Sequence, residues 1–225
     1  MNFVFDVDGT LTDSRCHIDL QFSKWFSQWM VDKTVYLATG SDYAKTLEQL
    51  GPDICNNVTA IYNCSGNAVF VKGILVRENK FTLTSEQILF LQKLIDHSPF
   101  ELRTGNHIES RIGMYNFSVL GRLANQEQRA QYYAYDLRTG ERNNFANLIN
   151  LTFPEIEATV GGETGIDLYL RGNDKSQIAD EVKPFVFFGD KIFPGGNDFT
   201  IAKFSEKSYK VASWQETWEI LRLNY

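Results

Sequence analysis

A chain of 225 residues is long enough to bury a sizeable core as one large domain or as a core with an inserted second unit, and a formal net charge of −6 excludes a generally basic, nucleic-acid-binding surface. No apolar run approaches the length that spans a bilayer and no cationic, apolar leader precedes the first strand, so a protein that works away from membranes is expected. Cys16, Cys55 and Cys64 are an odd set without CxxC spacing, which speaks against a disulfide framework or a cysteine-held metal and for a reducing, cytoplasmic setting.

In chain order, Asn2, Phe3, Val4 and Phe5 read as a short buried strand that runs into the turn Asp6-Val7-Asp8-Gly9-Thr10. Leu20, Phe22, Phe26, Trp29 and Met30 recur at mostly helical spacing and predict a helix over Leu20–Val31. Val35–Ala38 is a second strand, ending in Thr39-Gly40-Ser41-Asp42. Tyr43–Leu50 reads as a helix stopped by Gly51-Pro52, and Ala60–Tyr62 as a third strand. Strand, helix, strand, helix, strand is the pattern of a parallel sheet.

The period then changes. Ala68–Val71 and Ile74–Val76 flank Lys72-Gly73 as a hairpin, and Thr84 with Gln87 has capping-box spacing at the start of a helix. Strand-like segments at 100–104, 107–111, 114–120, 156–160 and 166–171 are interrupted by helical ones at 125–137 and 142–150, which predicts an antiparallel sheet with helices on one face. From Lys175 the first pattern resumes, with a helix to Val182, the strand Phe185–Phe188, a loop from Gly189 to Gly196, a helix near 197–204, and a last strand and helix. The expected fold is α/β: a doubly wound, Rossmann-like parallel-sheet core made of 1–77 and 173–225, with an α+β cap domain, 78–172, inserted between them.

Asp6 and Asp8 are the most informative residues. They sit two apart at the C-terminal end of a buried strand, the edge where open α/β sheets bind ligands. Adjacent carboxylates repel each other and any phosphate, so a hard divalent cation, Mg²⁺ before others, is implied between them. With it in place Asp6 can attack phosphorus as a nucleophile and Asp8 can handle the proton of the attacking or departing oxygen. Phe185-Val186-Phe187-Phe188-Gly189-Asp190 repeats the arrangement and offers Asp190 as a third metal ligand. Asp198, after Pro194-Gly195-Gly196-Asn197, could hold metal-bound water or pair with a lysine. Thr39 and Ser41 follow the second strand, where hydroxyls and loop amides can bind phosphate oxygens, although such residues also serve as backbone caps. Lys175 stands where the core resumes and could balance the charge of nucleophile and phosphate.

The segment from Phe5 to Thr10 resembles the first signature of the haloacid dehalogenase superfamily. With Gly40-Ser41-Asp42-Tyr43, Glu48-Gln49-Leu50-Gly51, Phe187-Phe188-Gly189-Asp190-Lys191 and Pro194-Gly195-Gly196-Asn197-Asp198, the chain looks like the phosphomannomutase family within it. The likeness reaches the inserted unit at Arg111-Ile112-Gly113-Met114-Tyr115-Asn116, Leu120-Gly121-Arg122 and Gln126-Glu127-Gln128-Arg129. It implies that Arg111, Arg122 and Arg129, with Arg15 from the core, bind a phosphorylated sugar and that Asp167 accepts hydrogen bonds from its hydroxyls. It also implies a Mg²⁺-dependent phosphohexomutase that passes through an aspartyl phosphate and a sugar bisphosphate, and a homodimer formed through the cap. The family usually has Met and Ser where this chain has Glu163 and Gly165. If water enters, the same residues make a sugar phosphatase; a third reading, a non-catalytic Mg²⁺-binding receiver-like module, leaves the large insertion without a purpose.

Overall fold

The computed structural model describes residues 1–225. The chain first lays down β1 (Asn2–Phe5), α1 (Leu20–Trp29), β2 (Thr34–Ala38), α2 (Tyr43–Asn57), β3 (Ala60–Asn63) and the hairpin β4 (Ala68–Val71) and β5 (Ile74–Glu78). It then builds α3 (Ser85–His97), β6 (Ile108–Arg111), β7 (Met114–Phe117), α4 (Gln126–Thr139), α5 (Glu141–Thr152), β8 (Ile156–Gly161) and β9 (Gly165–Leu170). It closes with α6 (Ala179–Val182), β10 (Phe185–Gly189), α7 (Phe199–Ala202), β11 (Lys207–Lys210) and α8 (Trp214–Asn224).

The larger sheet has the order β11-β10-β1-β2-β3-β4-β5. Its first five strands run parallel, and the β4–β5 hairpin adds two antiparallel ones. Because β1 has β2 on one side and β10 on the other, the winding reverses at β1, and a crevice opens at the C-terminal end of that strand. Alternation of side chains gives the sheet two buried faces. Phe3, Phe5, Leu37, Val186 and Phe188 pack against Phe22 and Phe26 of α1, Ile54 of α2 and Leu221 of α8. Val4, Ala38, Phe185 and Phe187 pack against Ile178, Val182 and Ile201 on the other side. The architecture is the expected doubly wound core.

The smaller sheet, β6-β7-β9-β8, is antiparallel throughout. Phe117, Ile166, Leu168, Ile156 and Ala158 face Leu91, Leu94, Tyr132 and Ile149 of α3, α4 and α5. Alternation turns Asn116 and its cross-strand partner Asp167 to the opposite face, away from those helices. All three helices therefore cover one side; the other carries Asn116 and Asp167 together with Met114 and Tyr169, which pack on Cys64 and on Ala68 of β4.

Three local expectations are corrected. Segment 100–104 pairs too little to be a strand: Thr104 donates its amide and hydroxyl to the Leu120 carbonyl and accepts from the Leu123 amide, and the Arg103 guanidinium donates to the carbonyls of Ile95 and Ser98 at the end of α3 and of Phe100 beyond it. Gly51-Pro52 interrupts rather than ends α2, with Gly51 at φ 77° and Pro52 opening a second helical stretch to Asn57. The helix near 197–204 is a single turn, Phe199–Ala202. The capping box of Thr84 and Gln87 does start α3.

Phe26 is fully buried and meets the Phe5 ring edge-on at 5.3 Å and the Trp29 ring at 5.6 Å. Phe26→Ala removes this contact directly beneath Asp6 and is expected to cost about 3–5 kcal/mol of unfolding free energy, read as a lower urea midpoint at unchanged slope.

Candidate active site

Asp6 continues β1 past its last residue, its amide donating to the Phe188 carbonyl at 2.9 Å, so its carboxyl emerges in the crevice beside the end of β10. Lys175 Nζ donates to Asp6 Oδ1 at 2.5 Å and to Asp198 Oδ1 at 2.7 Å, and the lysine is wholly buried. That leaves Asp6 Oδ2 with no partner in the protein. The Lys191 amide holds Asp198 Oδ2 at 3.0 Å, and the Lys191 ammonium pairs with Asp190. Of the two roles open to Asp198, pairing with a lysine is the one the geometry displays. Gly9 sits at φ 82°, and a Cβ there would stand 2.6 Å from Asp190 Oδ2, so only glycine lets the first acid turn close against the second.

Carboxylate oxygens of Asp6, Asp190 and Asp198 all lie within 4.8 Å of one another. Opposite ligands of Mg²⁺ stand about 4.2 Å apart, from bonds of about 2.1 Å, so this hard, oxygen-only group fits the ion that the sequence implies. The expected set was Asp6, Asp8 and Asp190. The Asp8 carboxylate is engaged elsewhere: Oδ1 accepts from the Arg15 amide at 2.7 Å and Gln49 Nε2 at 3.0 Å, and Oδ2 from the Ser41 hydroxyl at 3.3 Å. Gln49 stood in the sequence only as part of a segment shared with the family; its bond to Asp8 was not foreseen. Its signal was a polar residue on the apolar stripe of α2, beside Leu50, where it is 3% exposed.

Thr39 is buried and its hydroxyl accepts from the Ser41 amide at 3.1 Å, the capping role, while both residues also line the crevice. Across it stand the arginines. Arg111 Nη1 donates to the Gly40 carbonyl at 2.6 Å, and its Nε to Glu109 at 2.9 Å; Arg122 reaches the same Glu109 oxygen at 3.2 Å. Arg129 donates to Glu163 at 2.9 Å, Thr164 at 3.2 Å and Ser14 at 3.3 Å. Asp167 accepts from Asn116 at 2.8 Å, and a Cβ on Gly161 would lie 2.3 Å from it, so the β8–β9 turn needs glycine there. Arg142, another residue not foreseen, grips that turn by donating to the Gly162 carbonyl at 3.0 Å while Asp136 holds its Nε at 2.8 Å.

One pocket of about 50 Å³ collects Asp6, Asp8, Asp190, Thr39, Ser41, Arg15, Arg111, Arg122, Arg129 and Asp167, and none of its lining residues is apolar. Lys175 and Asp198 lie behind it. Of the four arginines Arg15 alone makes no ion pair. Burial, reinforced by Arg122 and Arg129, lowers Arg15 to about 10, and burial with Arg15 lowers Lys45 to about 8. Arg111 is raised, because Asp167 and Glu109 outweigh its burial.

The family profile described as eukaryotic phosphomannomutase matches residues 23–224. The chain belongs to the eukaryotic phosphomannomutase family. It is 32% identical to the phosphomannomutase of Galdieria sulphuraria over 209 residues, 88% of this chain and 83% of that one. The Saccharomyces cerevisiae phosphomannomutase is 30% identical over 211 residues, with 88% and 83% covered. Among solved structures, the C-terminal domain of C. albicans trehalose-6-phosphate phosphatase superposes with a TM-score of 0.64 at 14% identity, covering 98% of this chain and 90% of that one. A haloacid dehalogenase-like hydrolase from Bacteroides thetaiotaomicron does so at 0.58 and 13% identity, over 99% and 98%. The fold is that of the haloacid dehalogenase superfamily, and membership of the phosphomannomutase family makes the chain one of its phosphotransferases. No helix is long and apolar enough to cross a membrane.

Burial raises the Asp6 carboxyl well above its usual range although Lys175 opposes it, and raises Asp190 from 3.8 to about 6 against the pull of Lys191. Both groups keep a proton when folded at pH values where the unfolded chain has lost it, so stability is highest below the ordinary carboxylate pKa and falls as pH rises through the folded value. Burial raises Asp167 and adds the same sign; Glu109, lowered because Arg111 and Arg122 outweigh its burial, opposes it. Urea titrations of metal-stripped protein from about pH 4 to 7 are expected to show a loss on the order of 1–3 kcal/mol from Asp190. Added Mg²⁺ removes that loss, because ligation takes the deprotonated carboxylates; a slope indifferent to Mg²⁺ would count against the site.

Proposed function

We propose that the chain is a Mg²⁺-dependent phosphohexomutase that interconverts hexose 1-phosphate and hexose 6-phosphate through an aspartyl phosphate on Asp6. The observation that carries this reading is one wholly polar pocket with a carboxylate nucleophile on one wall and three cap arginines on the other. Single-phosphate chemistry does not need the second wall; a bisphosphate does, and guanidinium forks suit it.

The reading assigns work to two parts, a core of 1–77 and 173–225 and a cap of 78–172. Asp6 Oδ2, the oxygen that Lys175 leaves free, attacks phosphorus, and Lys175 stabilises the carboxylate and the added charge. Asp6, through its free Oδ2, and Asp190, with Asp8 at the adjoining turn, are the acids available to hold Mg²⁺, while Lys175 and the Lys191 amide engage both oxygens of Asp198. Bound there, the ion would screen nucleophile from phosphate and polarise the phosphoryl oxygens. Thr39 and Ser41 bind the transferred phosphoryl group. Asp8, positioned through Oδ1 by Gln49 and the Arg15 amide, takes the proton of the sugar hydroxyl as phospho-Asp6 gives up its phosphoryl group. The bisphosphate turns over, Asp6 attacks the other phosphorus, and Asp8 returns the proton to the departing oxygen. Arg15, Arg111, Arg122 and Arg129 hold whichever phosphate is not reacting, and Asp167 orients the sugar hydroxyls. A pocket of about 50 Å³ is small beside ligand sites of about 300–1,000 Å³, so substrate entry needs the cap to swing off the core, and closure then excludes the water that would hydrolyse phospho-Asp6.

A sugar phosphatase remains the second reading, favoured by the engagement of Arg129 with Glu163, which weakens the distal anchor. Three free cysteines fit a cytoplasmic setting. A cap-mediated homodimer belongs to the same proposal, supported by exposed Leu137 and Leu151 on the outer faces of α4 and α5.

With mannose 1-phosphate, Mg²⁺ and a hexose bisphosphate activator, isomerised sugar phosphate is the expected product, and stoichiometric inorganic phosphate would decide for the phosphatase. Asp6→Asn should abolish either product, by at least about 10³-fold. Arg122→Ala should raise KM for mannose 1-phosphate about 10–100-fold more than for p-nitrophenyl phosphate, a loss of about 1.5–3 kcal/mol from one charged hydrogen-bonding group; equal losses on both sink the distal anchor.

A further inference from the structure

The acceptors of Arg129 in this structure are all supplied by the protein. Its side chain is 5% exposed, and its donors reach one carboxylate, Glu163 at 2.9 Å, and two hydroxyls, while Nε has no acceptor. A guanidinium has five N–H donors, so this one is underused except where Glu163 meets it. Glu163 itself is 33% exposed and takes only this bond. Beside it lies a second cavity of about 370 Å³, bordered by Asp13, Tyr133 and Lys191, which shares Asp8, Ser14, Gly162, Glu163 and Asp190 with the arginine pocket. Glu163 thus borders both spaces, and its side chain has room to turn away from Arg129.

Glu109, the other carboxylate on the basic wall, is placed differently. It is bonded by both Arg111 and Arg122, through Nε and Nη2 of the former and Nη2 of the latter, so it cannot leave without stripping two guanidiniums at once. Glu163 can leave by rotating its own side chain. Its main chain stays fixed, because Arg142 grips the carbonyls of Gly161, Gly162 and Gly165 on either side.

We propose that Glu163 is an internal anion that occupies Arg129 and is displaced by the phosphate that a phosphorylated sugar places at that arginine, so that it sets the affinity for substrates that use this anchor. This rests on Arg129 being a phosphate anchor, as the proposed function has it. A phosphate on Arg129 competes with Glu163 for the Nη2 donor, and Glu163, held by that one bond, is the carboxylate of the basic wall that can yield. The cost falls only on ligands that use Arg129. A small phosphate ester held at Asp6 alone does not incur it. Glu163 is therefore a specificity residue rather than a catalytic one, and it keeps the Arg129 site charge-balanced between turnovers.

The test uses the full-length protein with Mg²⁺ and the variants Glu163→Gln and Glu163→Met, each also made with Arg129→Ala. Calorimetry with mannose 1-phosphate gives Kd, and steady-state assays give KM for p-nitrophenyl phosphate. Both single variants are expected to tighten mannose 1-phosphate by about ten-fold more than they change p-nitrophenyl phosphate, equivalent to about 1.4 kcal/mol. The gain should vanish when Arg129 is alanine. Unchanged or weaker mannose 1-phosphate binding in both variants overturns the proposal, and so does a gain that survives Arg129→Ala, which would be a general charge effect. A protein that binds mannose 1-phosphate more tightly in the variants but only ever releases inorganic phosphate supports the displaced carboxylate and rejects the mutase. Isomerisation with affinity indifferent to Glu163 does the reverse.

Discussion

The buried ammonium of Lys175 between Asp6 and Asp198 is the interaction on which the site depends. Three charges held out of water are stable only together: removing one partner from such a group typically costs about 3–5 kcal/mol because the others are left unpaired. The two carboxylates raise the Lys175 pKa against its own burial, so the lysine stays charged where no solvent reaches it. Its position in the chain is as important as its charge. Lys175 opens the short helical stretch at which the chain returns from the smaller sheet, so the charge on Asp6 is balanced by a residue 169 positions away.

From that centre the pocket is graded by charge. Carboxylates gather at the ends of β1 and β10, arginines on the polar face of the smaller sheet and on α4, and no apolar residue lines the space between. The smaller sheet meets the larger one through a small apolar cluster, in which Met114 and Tyr169 pack on Cys64 and Ala68, and through polar bonds at the pocket. Arg111 to the Gly40 carbonyl, Arg129 to Ser14, and the Val160 amide to the Gly195 carbonyl at 3.0 Å all cross the gap. These polar contacts are exchanged readily for water or for phosphate oxygens, and the apolar cluster lies outside the pocket lining.

Much of this was legible from residues alone. Alternation through Phe3-Val4-Phe5 and Phe185-Val186-Phe187-Phe188, each delivering an acid, identifies buried parallel strands, because only such strands bury both faces. The change of period after Lys72-Gly73 and its return at Lys175 separates two sheets, and the capping box at Thr84 marks a helix start that depends on local geometry only. The same local logic failed where distant groups decide. Segment 100–104 has a strand's composition, yet Arg103 spends its guanidinium on the end of α3.

For the site, sequence by itself determined which charged groups reach it: two acids at one strand end, a third and fourth at another, and arginines at spacings shared with a known family. These follow from short-range pattern, since a strand of period two fixes which residue reaches its edge. Tertiary structure alone decided the pairings. It joined Asp198 to Lys175, bound the Asp8 carboxylate with Gln49, set Arg142 under the Gly161–Gly165 turn and laid Glu163 against Arg129, across separations of 23, 41, 19 and 34 residues. Charge–charge and hydrogen-bond energies act over a few ångströms, so no spacing along the chain can announce which long side chains will meet once each sheet and its helices have packed.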